Sequence, residues 1–119
     1  MRFAVLLHDH PFLHWDVLLQ TGETCRTWRL LDSPESTGPW RAEAIADHRL
    51  FYLDHEGPVS GGRGHVTAWD RGEIVWIAAT RSHVRVLCRG TKWHGVLTLR
   101  QQTDCHWQAE FTADHSVGC

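Results

Sequence analysis

The chain has 119 residues, with 12 Lys and Arg against 14 Asp and Glu and ten histidines, a formal charge of −2. That length suits one domain, and the acidic balance excludes a protein that grips nucleic acid along an extended basic track. No apolar run approaches the length of a bilayer span and the N-terminus lacks a signal-peptide pattern, so a cytoplasmic protein without membrane contact is expected.

Apolar residues recur mostly with a period of two, as in half-buried strands. Strands are predicted over residues 3–8, 13–20 and 24–31, with a turn at 21–23 and a loop over 33–39 that holds two prolines and a glycine. Residues 41–47 alternate weakly and read as a strand, 48–56 admit a helical turn, and 57–64 form a glycine-rich loop or bulge. Further strands follow over 64–69, 73–80, 82–88, 93–100 and 105–112, the first two joined by a turn at Asp70-Arg71-Gly72. This spacing, without a long amphipathic helix, predicts an all-β, mostly antiparallel protein: a small closed or partly open β-barrel of about eight strands with short flanking helical segments. Residues 1–113 form a single domain in this reading and 114–119 a flexible tail. Most of the seven tryptophans are assigned to the core.

Cys25, Cys88, Cys105 and Cys119 form no CxxC pair, which excludes a zinc ribbon or a dithiol redox centre. Cys88 lies in an alternating run and is expected to be buried, Cys119 exposed.

The stretch His8-Asp9-His10-Pro11-Phe12-Leu13-His14-Trp15-Asp16 carries the functional signal. In a strand His14 and Asp16 emerge on one side while Trp15 and Val17 face the other. Pro11 lets the chain fold back and bring His8 beside the pair. Two imidazoles and a carboxylate on rigid backbone suit a divalent transition metal with positions left open for water and substrate. Surface histidines near a turn are the alternative that this spacing alone leaves open.

The order of four motifs adds a resemblance. His8-Asp9-x4-His14-Trp15-Asp16, Thr27-Trp28, Asp47-His48-x3-Tyr52-x3-Glu56-Gly57 and Gly64-x4-Trp69-Asp70-Arg71-Gly72, followed by Val86-Leu87-Cys88-Arg89-Gly90 and Gly95-x-Leu97-Thr98-Leu99, resemble the 3′-phosphoesterase domain of bacterial DNA ligase D. The resemblance implies a manganese-dependent β-barrel, with zinc or another transition metal as the alternative ion. It implies an enzyme that trims nucleic-acid 3′ ends, of DNA or of DNA with a terminal ribonucleotide, removing the ribonucleoside and then the 3′-phosphate. It further implies His8, His14 and Asp16 as metal ligands and His48 against the scissile phosphate, with Tyr52 close by. A DNA ligase or polymerase of non-homologous end joining is the implied partner in DNA repair.

This chain departs from that pattern in its cations. Leu18 stands where the family has an arginine and Asp32 where it has a lysine, while another arginine position falls at Trp40, next to Arg41. The basic arm that often precedes the first strand is not expected either. Arg41, as the neighbour of that position, is assigned to the catalytic set with His48 and Tyr52. Arg29, Arg49 and Arg63 are further candidates to replace lost cations, an ordinary solvated position being the alternative for each. The expected function is phosphoesterase-like, with reduced or altered activity. The rival readings are a catalytically silent module that binds metal or nucleic-acid ends, and an iron oxygenase using a 2-His-1-carboxylate triad. Of the other histidines, His65 and His83 lie on predicted strands, where either could face the barrel mouth.

Overall fold

The computed structural model describes residues 1–114. The strands are β1 (Arg2–His8), β2 (His14–Gln20), β3 (Thr24–Leu30), β4 (Trp40–Arg49), β5 (Gly57–Pro58), β6 (His65–Ala79), β7 (His83–Gly90), β8 (His94–Gln101) and β9 (His106–Ala113). Hydrogen bonding runs β1–β2–β3–β4–β9–β8–β7–β6 and returns from β6 to β1, so eight antiparallel strands close a ring, and β5 pairs with β6. The all-β antiparallel fold expected from the sequence is thus present. Of the expected helical segments, one 3-10 turn, Leu50–Leu53, is found among the described residues. None of their helices is long and apolar enough to cross a membrane.

β1 and β2 read as near-continuous apolar runs because both of their faces are covered. Phe3, Val5, Val17 and Leu19 join Trp28, Leu30 and Trp107 in the core inside the ring. The alternate residues Ala4, Leu6 and Leu18 form a second core with Cys25, Leu53, Val59 and Val66. The segment over residues 50–64 lies across the outer face of these strands as a flap. Arg71 holds it by donating from Nε to the Leu53 carbonyl at 2.7 Å. The Ala68 N–H donates to Glu56 Oε1 at 2.7 Å, and Arg2 pairs with Asp54. All seven tryptophans belong to the inner core or pack against it.

Two boundaries differ from the sequence reading. β4 runs on to Arg49, beyond the expected end at 47. Asp70-Arg71-Gly72 is not a turn but the middle of β6, which pairs with β1 through its first half and with β7 through its second. Each residue of the triplet serves a long-range contact instead. The buried Asp70 carboxylate accepts N–H bonds from Thr91 (2.9 Å), Lys92 (3.0 Å) and Trp93 (2.7 Å), bracing the β7–β8 loop. Arg71 reaches the flap, and a side chain on Gly72 would collide with the Arg89 carbonyl of β7. The expected tail lies, apart from Asp114, outside the described residues, as does Cys119.

Asp70→Ala leaves three N–H donors without their charged acceptor and is expected to cost about 2–4 kcal/mol, read as a lower urea midpoint at unchanged slope. Burial pushes the Cys25 thiol up to about 11 and the Cys88 thiol up to about 12, because the thiolate loses its hydration there. A thiol reagent at pH 8 is therefore expected to label the exposed Cys105 in the native protein and to reach Cys25 and Cys88 only on unfolding, by peptide mass mapping.

Candidate functional site

The β1–β2 register sets His8 opposite His14 and Leu6 opposite Asp16. The side chains of His8, His14 and Asp16 therefore share the outer face that the flap covers, and their ligating atoms lie within 4.8 Å of one another. His14 is fully buried and Asp16 is 4% exposed. His14 Nδ1 donates to the Phe12 carbonyl at 2.8 Å, and His8 Nε2 donates to the Arg63 carbonyl at 2.8 Å. Each ring is thereby held in orientation, with its other nitrogen turned toward Asp16. His8 Nδ1 lies 3.2 Å from Oδ2 and His14 Nε2 2.9 Å from Oδ1.

The second contact is short but misaligned for a hydrogen bond: His14 Nε2 and Asp16 Oδ1 are both buried without a hydrogen-bond partner. Buried polar atoms left this way need an explanation, and two acceptors aimed at one point are what a cation satisfies. Burial alone would raise the Asp16 carboxyl, but the His14 and His8 imidazoles, aided by His48, outweigh it and hold the group at about 2. Asp16 in turn pulls the His8 pKa up from its ordinary value. The trio fits a divalent ion, with nitrogen and oxygen donors suited to manganese or zinc.

A cavity of about 490 Å³ opens beside this trio, lined by His8 and Asp16 together with His48 and Tyr52. His48 is placed by its pairing with Cys25, whose side chain faces the outer core. Its Nδ1 donates to the Ala46 carbonyl at 3.0 Å, which leaves Nε2 for other partners, and its ring meets Tyr52 edge-on at 5.7 Å.

The cations are distributed differently from the sequence reading. Arg41 does not reach this cavity. It lies two residues beyond Glu43 along β4, where Asp32 takes up its guanidinium with contacts of 2.7–3.2 Å, and it lines a separate depression beside Trp40 and Trp107. Arg29, Arg49 and Arg63 do line the cavity. Arg29 sits opposite Asp16 in the β2–β3 register, with a buried Nε–H that has no hydrogen-bond partner and Nη1 3.9 Å from Glu43. Leu18 is fully buried in the outer core and offers the cavity no charge. His10 lines the cavity too, whereas His65 and His83 do not. His65 is exposed, beside Asp9, and His83 sits near Thr80 on β7.

Sequence reasoning missed the carbonyls of Phe12 and Arg63 that orient the imidazoles, since a backbone acceptor leaves no mark on residue identity. Arg29 did carry a signal. The tight turn at 21–24 fixes the β2–β3 pairing, and counting back from it sets Arg29 against Asp16.

A sequence model of the DNA ligase D 3′-phosphoesterase domain matches residues 7–101. The chain is 28% identical over 121 aligned residues to the multifunctional non-homologous end joining protein LigD of Pseudomonas aeruginosa, an alignment that covers 90% of this chain and 14% of that protein.

Manganese or zinc at saturating concentration is expected to raise the thermal midpoint of the wild type by several degrees, since a ligand at a hundred times its Kd adds about 2.7 kcal/mol to stability. His14→Ala is expected to remove the shift, read by calorimetry with and without a chelator.

Proposed function

The chain belongs to the DNA ligase D 3′-phosphoesterase domain family, and from that premise we propose that it hydrolyses phosphate esters at nucleic-acid 3′ ends with a divalent metal held by His8, His14 and Asp16. Trimming of DNA ends, including those that carry a terminal ribonucleotide, belongs to the same proposal. So does a setting in end-joining repair beside a ligase or polymerase. One observation carries the reading. The buried, unpartnered donor atoms of His14 and Asp16 adjoin a cavity whose lining also holds His48, Tyr52, Arg29, Arg49 and Arg63.

The ion, manganese first and zinc second, would polarise a phosphoryl oxygen and make bound water more acidic. The remaining work falls to the chain. Arg29 offers its unsatisfied Nε–H to a phosphate oxygen, with Arg49 and Arg63 adding charge around the same space. Water adds to phosphorus and gives up a proton to solvent, the P–O bond to the 3′ carbon's oxygen breaks, and His48, entering the step as the imidazolium, delivers its Nε2 proton to the departing oxygen. Nδ1 of His48, spent on the Ala46 carbonyl, fixes which nitrogen does this, and Tyr52 packs against the ring edge to hold its angle. The flap and outer core limit water at the trio, which strengthens every charge interaction inside.

With Leu18 and Asp32 at positions where the family carries cations, a slower enzyme than a fully basic site would give is part of the proposal.

The test is release of inorganic phosphate from an oligonucleotide with a 3′-phosphate in the presence of manganese. His14→Ala is expected to abolish release, His48→Ala to lower kcat by about 10²–10⁴, and Arg29→Ala by about 10²–10³. Arg41→Ala is expected to leave the rate unchanged. Metal binding without any hydrolysis would overturn the catalytic reading in favour of a silent end-binding module.

A further inference from the structure

Two large apolar rings stand about half exposed outside either core, against residues that line the cavity, and one of them, Phe51, stacks on His55 at 4.9 Å. Phe12 is 47% exposed in the loop between β1 and β2, and Phe51 is 57% exposed in the 3-10 turn at the end of β4. Each is the outer member of a chain of rings that leads inward. Phe12 meets His14 edge-on at 5.4 Å, and His14 meets His8 at 4.9 Å. Phe51 meets Tyr52 at 5.2 Å, and Tyr52 meets His48 at 5.7 Å. One exposed ring therefore adjoins the metal-ligand side of the cavity and the other the His48 side. Both are partnered by cations that line that cavity, with the Arg29 guanidinium 5.3 Å from the Phe12 centroid and that of Arg49 5.7 Å from the Phe51 centroid.

Rings interleaved with arginines beside a cavity of about 490 Å³ match the chemistry of an unpaired nucleotide strand, whose bases stack on aromatic faces while its phosphates take the guanidinium charge. The chain's negative balance strengthens this assignment. With a formal charge of −2, long-range attraction to a polyanion is weak, so affinity for a strand end has to come from local contacts.

We propose that Phe12 and Phe51 are base-stacking platforms that engage the last unpaired bases of a single-stranded 3′ terminus, one on either side of the cavity. The inference deepens the phosphoesterase reading by naming the form of substrate: a frayed or overhanging 3′ end in preference to a paired blunt one. Neither ring touches the reacting phosphate, so both act in binding and positioning.

The test uses the full chain, a chelator to prevent turnover, and a 5′-labelled single-stranded DNA oligonucleotide that ends in a 3′-phosphate, read by fluorescence anisotropy. Phe12→Ala and Phe51→Ala are each expected to weaken binding about 5- to 150-fold, with Phe12→Trp and Phe51→Trp restoring it. Replacing the last two nucleotides by abasic ones is expected to weaken wild-type binding and to erase the difference between wild type and the alanine variants. A blunt duplex is expected to bind less tightly than one with an unpaired 3′ overhang. Unchanged affinity in both alanine variants, equal losses on abasic and base-bearing strands, or no wild-type affinity for the oligonucleotide would each overturn the assignment. Because no hydrolysis is measured, base-dependent binding by a protein that releases no phosphate would sustain this inference while the catalytic reading falls.

Discussion

A carboxylate sealed between two imidazoles is the constraint around which this molecule is arranged. Asp16 sits almost without solvent on β2, which also carries His14, while the neighbouring strands supply His8 from β1 and Arg29 from β3. An ionised carboxylate in such a place is costly unless positive charge meets it. The double covering of β1 and β2 creates the low-dielectric setting, and the flap completes it by bringing the Arg63 carbonyl to His8. Backbone carbonyls on both sides orient the two imidazoles, so the convergence of the three groups does not depend on a mobile side chain.

Net charge gives a poor account of how the arginines are used. Arg2 is matched by Asp54, Arg41 by Asp32, and Arg71 reaches Glu56 at 4.0 Å and the Leu53 carbonyl, so these three brace loops. Arg29, Arg49 and Arg63 are left facing the cavity, with Glu43 at the margin of Arg29's reach. The same lining carries Asp16 and Asp47, so the cavity brings three arginines and two carboxylates together. Asp32 captures Arg41 on the far side of Glu43.

Much of this was legible in the residues because strand geometry is periodic. The parity of His14 and Asp16, the apolar runs of β1 and β2 and the alternation that marks a closed antiparallel sheet all follow from period two. Where the reading failed, a residue was working across the sheet instead of along it. Asp70-Arg71-Gly72 has the composition of a turn, yet Asp70 braces another loop, Arg71 reaches the flap and Gly72 clears room for β7. The choice of Arg41 rested on chain proximity to Trp40, whereas the cavity selects cations by register, which favours Arg29. Backbone carbonyls that orient the ligands have no letter in the sequence at all.

The way β6 closes the ring has a consequence for how the protein comes together. The three candidate ligands lie within nine residues of one another on a single hairpin, while the β1–β6 seam joins residues 58 to 71 apart along the chain, from His8 with Val66 to Arg2 with Glu73. Contacts that distant return nothing until the intervening chain has been ordered, which places folding toward the slow end for small domains, on the order of milliseconds to seconds. The ligand set is thus topologically local and its burial is topologically remote. During synthesis the hairpin emerges first, but Asp16 is shielded from water only after the chain has passed β6.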